Sequence, residues 1–98
     1  MTISQNKNGS ELIIALEGRL DTTTSPELEA QLKDALDGVT ALTFDFEKLE
    51  YISSAGLRVL LAAQKLMKNQ GSMKIVHAND IILEIFEVTG FSDILTVE

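Results

Sequence analysis

Two hydrophobic periods alternate along this chain, and their order limits the folds open to it. Glu11 to Glu17 and Ala41 to Phe46 carry apolar residues at every second position. Leu28, Leu32, Ala35 and Leu36 recur at helical spacing, and the stretch from Leu57 to Met67 is apolar on more than one side of a helix. A period of two belongs to strands and a period near 3.6 to helices. Adding a strand over Thr2 to Lys7, one over Met73 to His77 and a shorter helix capped at Ala78-Asn79-Asp80 and running through about Val88 gives the order β-β-α-β-α-β-α. Asp93 to Val97 supplies a last short strand or an extended tail. Strands alternating with helices imply right-handed crossovers and a mostly parallel sheet. The expected fold is α/β, with four to five strands, about three helices and an antiparallel edge hairpin.

Local signals mark the joints. Asn8-Gly9 tolerates the positive φ angles of a tight hairpin turn. Leu12, Ile14 and Leu16 face one way and Ile13 and Ala15 the other, which predicts a central strand covered at least in part on both faces. Thr24 and Glu27 have capping-box spacing, and Pro26 falls in the first helical turn, where its missing N–H costs nothing. Asp37-Gly38 ends that helix. Glu47 to Ile52 reads as a connection into a long helix from about Ala55 to Asn69, which Gln70-Gly71 closes. Ala78-Asn79-Asp80 caps the last helix and Gly90 stops it.

The 98 residues suit one domain spanning 1–98, and 45% of them are hydrophobic, enough to build a core without staples. No cysteine is present, so disulfides and thiolate metal sites are excluded and a reducing compartment fits. No apolar run approaches the roughly 20 residues of a membrane span, and the N-terminus lacks the pattern of a signal peptide. A cytoplasmic protein without membrane insertion is expected. A net charge of −7 argues against nucleic acid, whose binding relies on clustered cations. The charge is uneven, however. Lys48, Arg58, Lys65, Lys68 and Lys74 occupy a stretch whose only acid is Glu50, either a solvated helix face or a patch that meets a partner.

Two loops run from a strand into a helix, one through Asp21 and the other through Ser53-Ser54. If the strands before them are parallel neighbours, both loops lie at one sheet edge, where α/β proteins gather their functional groups. Ser54 is the helix N-cap or one residue from it. An N-cap serine is an ordinary structural device. Here, though, the position three residues on is Leu57, so no capping box closes and first-turn amides stay free. Gly56 removes bulk beside the serine. An open helix N-terminus of this kind can hold a phosphate.

The run from Phe44 to Leu60, with Ile52-Ser53-Ser54-Ala55-Gly56-Leu57 at its centre, resembles the signature segment of the STAS family of anti-sigma factor antagonists. Gly18-Arg19-Leu20-Asp21 and Thr89-Gly90-Phe91 are similar to two further family landmarks, in the same order along the chain. The resemblance implies the STAS fold and a regulatory role. The serine matching Ser54 would be phosphorylated by a serine kinase that doubles as an anti-sigma factor. The unphosphorylated form would bind that kinase and free the sigma factor, and a phosphatase would reverse the mark. Asp21 matches an acid beside the phosphoacceptor, and Leu57, Arg58 and Leu61 would face the partner. Ser53 stands where the family usually has Asp, which makes it a second candidate acceptor.

Competing readings are few. The same domain also serves as a subunit docked on the ATPase of a lipid or anion transporter. A Ser54 hydrolase lacks the glycine two residues before the serine that a nucleophile elbow needs. His77 is the only histidine and is read as a structural or surface residue, not a catalyst. No metal or cofactor is expected, the chain is read as a binding protein and not an enzyme, and nothing demands more than a monomer.

Overall fold

In a computed structural model that describes all 98 residues, the elements are β1 (Thr2–Asn8), β2 (Glu11–Leu20), α1 (Ser25–Ala35), β3 (Ala41–Ile52), α2 (Ser54–Gln70), β4 (Ser72–Val76) and α3 (Asp80–Thr89). A 3-10 turn over Phe91–Asp93 follows. The sheet has four strands in the order β1-β2-β3-β4. The β1–β2 pair is antiparallel, and β2–β3 and β3–β4 are parallel. This is the mixed, mostly parallel α/β architecture expected from the alternating periods. The tail adds no named strand. It contributes one parallel bridge, Val97 to Ile75, against the free edge of β4.

All three helices share one core with one face of the sheet. Leu12, Leu42 and Met73 stand in line across β2, β3 and β4, as do Ile14, Phe44 and Ile75, and every one is buried. Leu28 and Leu32 of α1, Leu60, Ala63 and Met67 of α2, and Ile82 and Phe86 of α3 complete the same cluster. The other face is open, and Ile13 is 44% exposed. The expectation of cover on both faces of β2 is therefore corrected. Ile13 and Ala15 are apolar, but no element crosses behind them.

The strand β3 runs six residues beyond Phe46, through what reads as a connection. Two register shifts explain the difference. Ala15 pairs with Asp45 but Glu17 with Lys48, and Gly18 pairs with Leu49 but Arg19 with Tyr51. Each shift gives β3 one extra residue, a bulge. The buried positions then fall at Phe46, Leu49 and Ile52, every third residue, and the period of two disappears.

At the start of α1, Thr24 is the N-cap residue but its side chain makes no capping bond. Its hydroxyl donates to the Arg19 carbonyl at 2.8 Å. Asp21 takes over the role: its Oδ1 accepts from the amides of Thr23 and Thr24 at 3.0 and 3.1 Å. The Thr24–Glu27 capping box is thus replaced by an aspartate three residues upstream. At α3 the expected cap forms, with Asn79 Oδ1 accepting from Ile82 N at 2.8 Å and Gly90 closing the helix at φ 81°.

Candidate functional site

The parallel pairing of β2 and β3 brings both loops to the same edge of the sheet. The Ser53 amide donates to the Leu20 carbonyl at 2.9 Å, so the entry to α2 is tied to the residue just before Asp21. Arg19 lies with its guanidinium 4.6 Å from the centre of the Tyr51 ring, a second link between the strands. The same guanidinium approaches Asp21 Oδ2 at 4.0 Å, a loose pair at the surface.

The two serines have different jobs. Ser53 is the N-cap: its backbone is extended, and its hydroxyl oxygen accepts from the Gly56 amide at 3.5 Å, a long bond. Ser54 is the first residue of α2 and is exposed. Its own amide and that of Ala55 precede the first intrahelical bond and have no acceptor within the helix. Of the two hydroxyls, the one at Ser54 is presented to solvent at the positive end of α2.

Gly56 is needed for a reason other than access to the serine. It is buried, and a β-carbon there would lie 2.8 Å from Leu20 Cγ and Ile52 Cγ1. Its missing side chain lets the first turn of α2 press against the sheet. Leu57 likewise points into the core and is only 4% exposed, so its side chain offers no surface to a partner. That expectation is corrected: at 3.6 residues per turn, Leu57 shares the core-facing side of α2 with Leu60 and Ala63.

Arg58 is exposed and Leu61 half-buried. Ser54, Arg58, Leu61 and Lys65 fall at positions i, i+4, i+7 and i+11, which places them on one outward stripe of α2. Arg58 and Lys65 give that stripe two positive charges and no negative one. Lys68 lies beside it, whereas Lys74 stands on β4 and pairs with Glu98 at 3.6 Å. The cationic segment of the sequence is therefore divided between separate surfaces.

Asp21 is a carboxylate in a donor-rich corner. The Thr24 amide holds its pKa below the ordinary value of 3.8, with help from the Thr23 amide, the Thr24 hydroxyl and the Arg19 charge, against partial desolvation. It is ionised at neutral pH and secures the loop beside the α2 entrance.

A second polar cluster lies on the open face of the sheet, where residue spacing gave no hint of it. His77 Nδ1 and Asp45 Oδ1 are 2.9 Å apart, and Glu47 completes a group whose candidate ligand atoms all lie within 4.8 Å of one another. His77 follows β4 with a left-handed backbone, φ 62°. The hydrogen bond to Asp45 raises the His77 pKa. Desolvation works against Asp45, but His77 and the Glu47 amide leave its pKa lowered. Asp45 and His77 are 32 residues apart and meet because Asp45 pairs with Val76.

Comparison with known proteins agrees with this architecture. The family model described as Mlab, STAS domain matches residues 3–96. BtrV of Bordetella bronchiseptica, provisionally named an anti-sigma factor antagonist, is 36% identical over 99 residues, which cover 99% of this chain and 85% of BtrV. The anti-sigma-B factor antagonist of Bacillus subtilis is 28% identical over 96 residues, 97% of this chain and 86% of that protein. Among solved structures, the Bacillus cell fate determinant SpoIIAA in its phosphorylated form superimposes with a TM-score of 0.77 at 18% identity, covering 99% of this chain and 91% of SpoIIAA. With an unbroken match from β1 to the tail and anti-sigma factor antagonists among its relatives, this chain belongs to the STAS domain family.

Proposed function

We propose that this protein is an anti-sigma factor antagonist that docks through the outward stripe of α2 on a serine kinase acting as the anti-sigma factor, and that phosphorylation of Ser54 releases it. The observation that carries this reading is the exposed Ser54 at the head of a stripe formed by Arg58, Leu61 and Lys65. The relatives support it by name: BtrV and the Bacillus subtilis protein are named for antagonising anti-sigma factors, and SpoIIAA is a protein with a phosphorylated form.

The physical effect of the mark is large relative to what a switch requires. A phosphate adds about −1.5 to −2 charges at pH 7. At Ser54 it would cancel most of the positive charge of the stripe, one helical turn from Arg58, and add to the field of Asp21. A hundredfold loss of affinity takes only about 2.8 kcal/mol. Leaving a phosphate desolvated in an interface costs at least that much unless the partner offers matching cations. No rearrangement of the fold is needed. A phosphatase resets the site, and the protein acts by binding, as a cytoplasmic monomer. No helix is long and apolar enough to cross a membrane.

Recovering partners on Ser54→Ala from the parent cell tests the reading. A serine kinase that phosphorylates the unmodified protein at Ser54, and binds Ser54→Asp at least tenfold more weakly than Ser54→Ala, is the expected result. Recovery of a transporter ATPase with no phosphorylation at Ser54 overturns it in favour of a subunit permanently docked on a transporter.

A further inference from the structure

The cluster on the open face of the sheet has the composition and spacing of a metal site, and it is independent of the Ser54 switch. We propose that Asp45, Glu47 and His77 bind a first-row transition-metal dication, one per chain. The donor set decides the class of ion. An imidazole nitrogen with carboxylate oxygens suits zinc, nickel, cobalt or copper, whereas magnesium and calcium prefer oxygen donors alone.

The spacing is close to that of a bound ion. Two ligands on a tetrahedral zinc with bonds of about 2.0–2.1 Å stand roughly 3.3 Å apart. His77 Nδ1 and Asp45 Oδ1 are 2.9 Å apart, and all three ligand atoms lie within 4.8 Å of one another. Separating the first pair slightly and turning the exposed Glu47 inward makes room for the ion, which takes the place of the proton now shared between His77 and Asp45.

Three features of the fold meet at this point. The register of β3 against β4 sets Asp45 beside Val76 and so beside His77. Beside the first register shift in β3, the Glu47 amide donates to Asp45 Oδ1 at 3.0 Å, which fixes that carboxylate. Asp45 and Glu47 also line an open cavity of about 280 Å³ together with Glu17 and Lys48. His77 does not line that cavity. Three protein donors leave at least one coordination position free for water or an anion. Glu17 adds negative charge at the rim and Lys48 offsets it.

The test is titration of the EDTA-stripped full-length protein with zinc chloride, followed by calorimetry and by NMR of the imidazole. His77 is the only histidine, so its ring signals need no assignment. Saturation at one equivalent with a shift of those signals is expected. His77→Ala and Glu47→Gln should each weaken binding at least tenfold, and magnesium chloride should leave the imidazole signals in place. Absence of saturable binding overturns the proposal. So does binding that survives both substitutions unchanged, or magnesium binding as tight as zinc. Both side chains are exposed, so the variants keep their fold, which thermal melting in EDTA verifies.

Discussion

The Ser53 amide and the Leu20 carbonyl, 2.9 Å apart, join the entrance of α2 to the end of β2. Through this bond the loop that carries Asp21 and the helix that displays Ser54 form one surface, although 33 positions of chain separate the two residues. Anything that loosens the first turn of α2 therefore disturbs both.

Gly56 is the tightest point of that contact. Alanine is a better helix former by up to about 1 kcal/mol. Its β-carbon would nevertheless stand 2.8 Å from Leu20 and Ile52, both buried, and overpacking of this kind costs about 1–3 kcal/mol. Gly56→Ala is expected to lower stability by about 1–2 kcal/mol in urea denaturation. A stabilised variant would mean that α2 does not sit this close to the sheet.

Ser53 and Ser54 should separate cleanly. Ser53→Ala removes the N-cap and is expected to cost about 0.5–1 kcal/mol, at the low end because the bond to Gly56 is long. Ser54→Ala should change stability by less than about 0.5 kcal/mol, as at other exposed positions without a partner. Phosphopeptide mass spectrometry after incubation with the kinase should find the mark on the parent and on Ser53→Ala, and lose it in Ser54→Ala.

Asp21 sets a dependence on acid. Its pKa is lower in the folded protein than the ordinary 3.8, chiefly through the Thr24 amide. The folded state therefore prefers the charged form. That contribution is complete above the unfolded value and disappears as pH falls through the folded one. Asp21→Asn should leave the fold intact at neutral pH and flatten the acid limb of a stability–pH curve below about pH 4. A curve that keeps the shape of the parent would remove Asp21 from this role.

The stripe on α2 is open to charge reversal. Arg58→Glu combined with Lys65→Glu is expected to weaken kinase binding at least tenfold, with a smaller salt dependence than the parent shows. Melting temperature should hardly move, because both side chains are exposed and neither forms an ion pair. Unchanged affinity would relocate the interface to another face.

Much of the fold is legible from local pattern. The hairpin turn, which falls one residue later than expected on Gly9-Ser10 with Asn8 closing β1, the helix over Leu28 to Leu36, the cap within Ala78-Asn79-Asp80 and the Gly90 stop each depend on a few adjacent residues. The differences occur where distant elements compete for the same atoms. Thr24 has the spacing of a capping box with Glu27, yet Arg19 draws away its hydroxyl and Asp21 supplies the cap instead. Leu57 sits one turn into a partly exposed helix, and only the direction of the sheet decides that it is buried. Gly56 reads as space left for a ligand, and the neighbour that fills this space is Leu20.

What the amino-acid order determined by itself is the succession of strands and helices, the serine pair at the start of α2, and the family, because all of these are written in short-range periods and contiguous motifs. Tertiary structure alone decided which face of the sheet is covered, how far β3 extends through its two bulges, which serine is the cap, and that His77 meets Asp45 and Glu47. The physical reason is register. Strand pairing is settled by side-chain burial summed across the whole sheet, and no local stretch of sequence holds that sum.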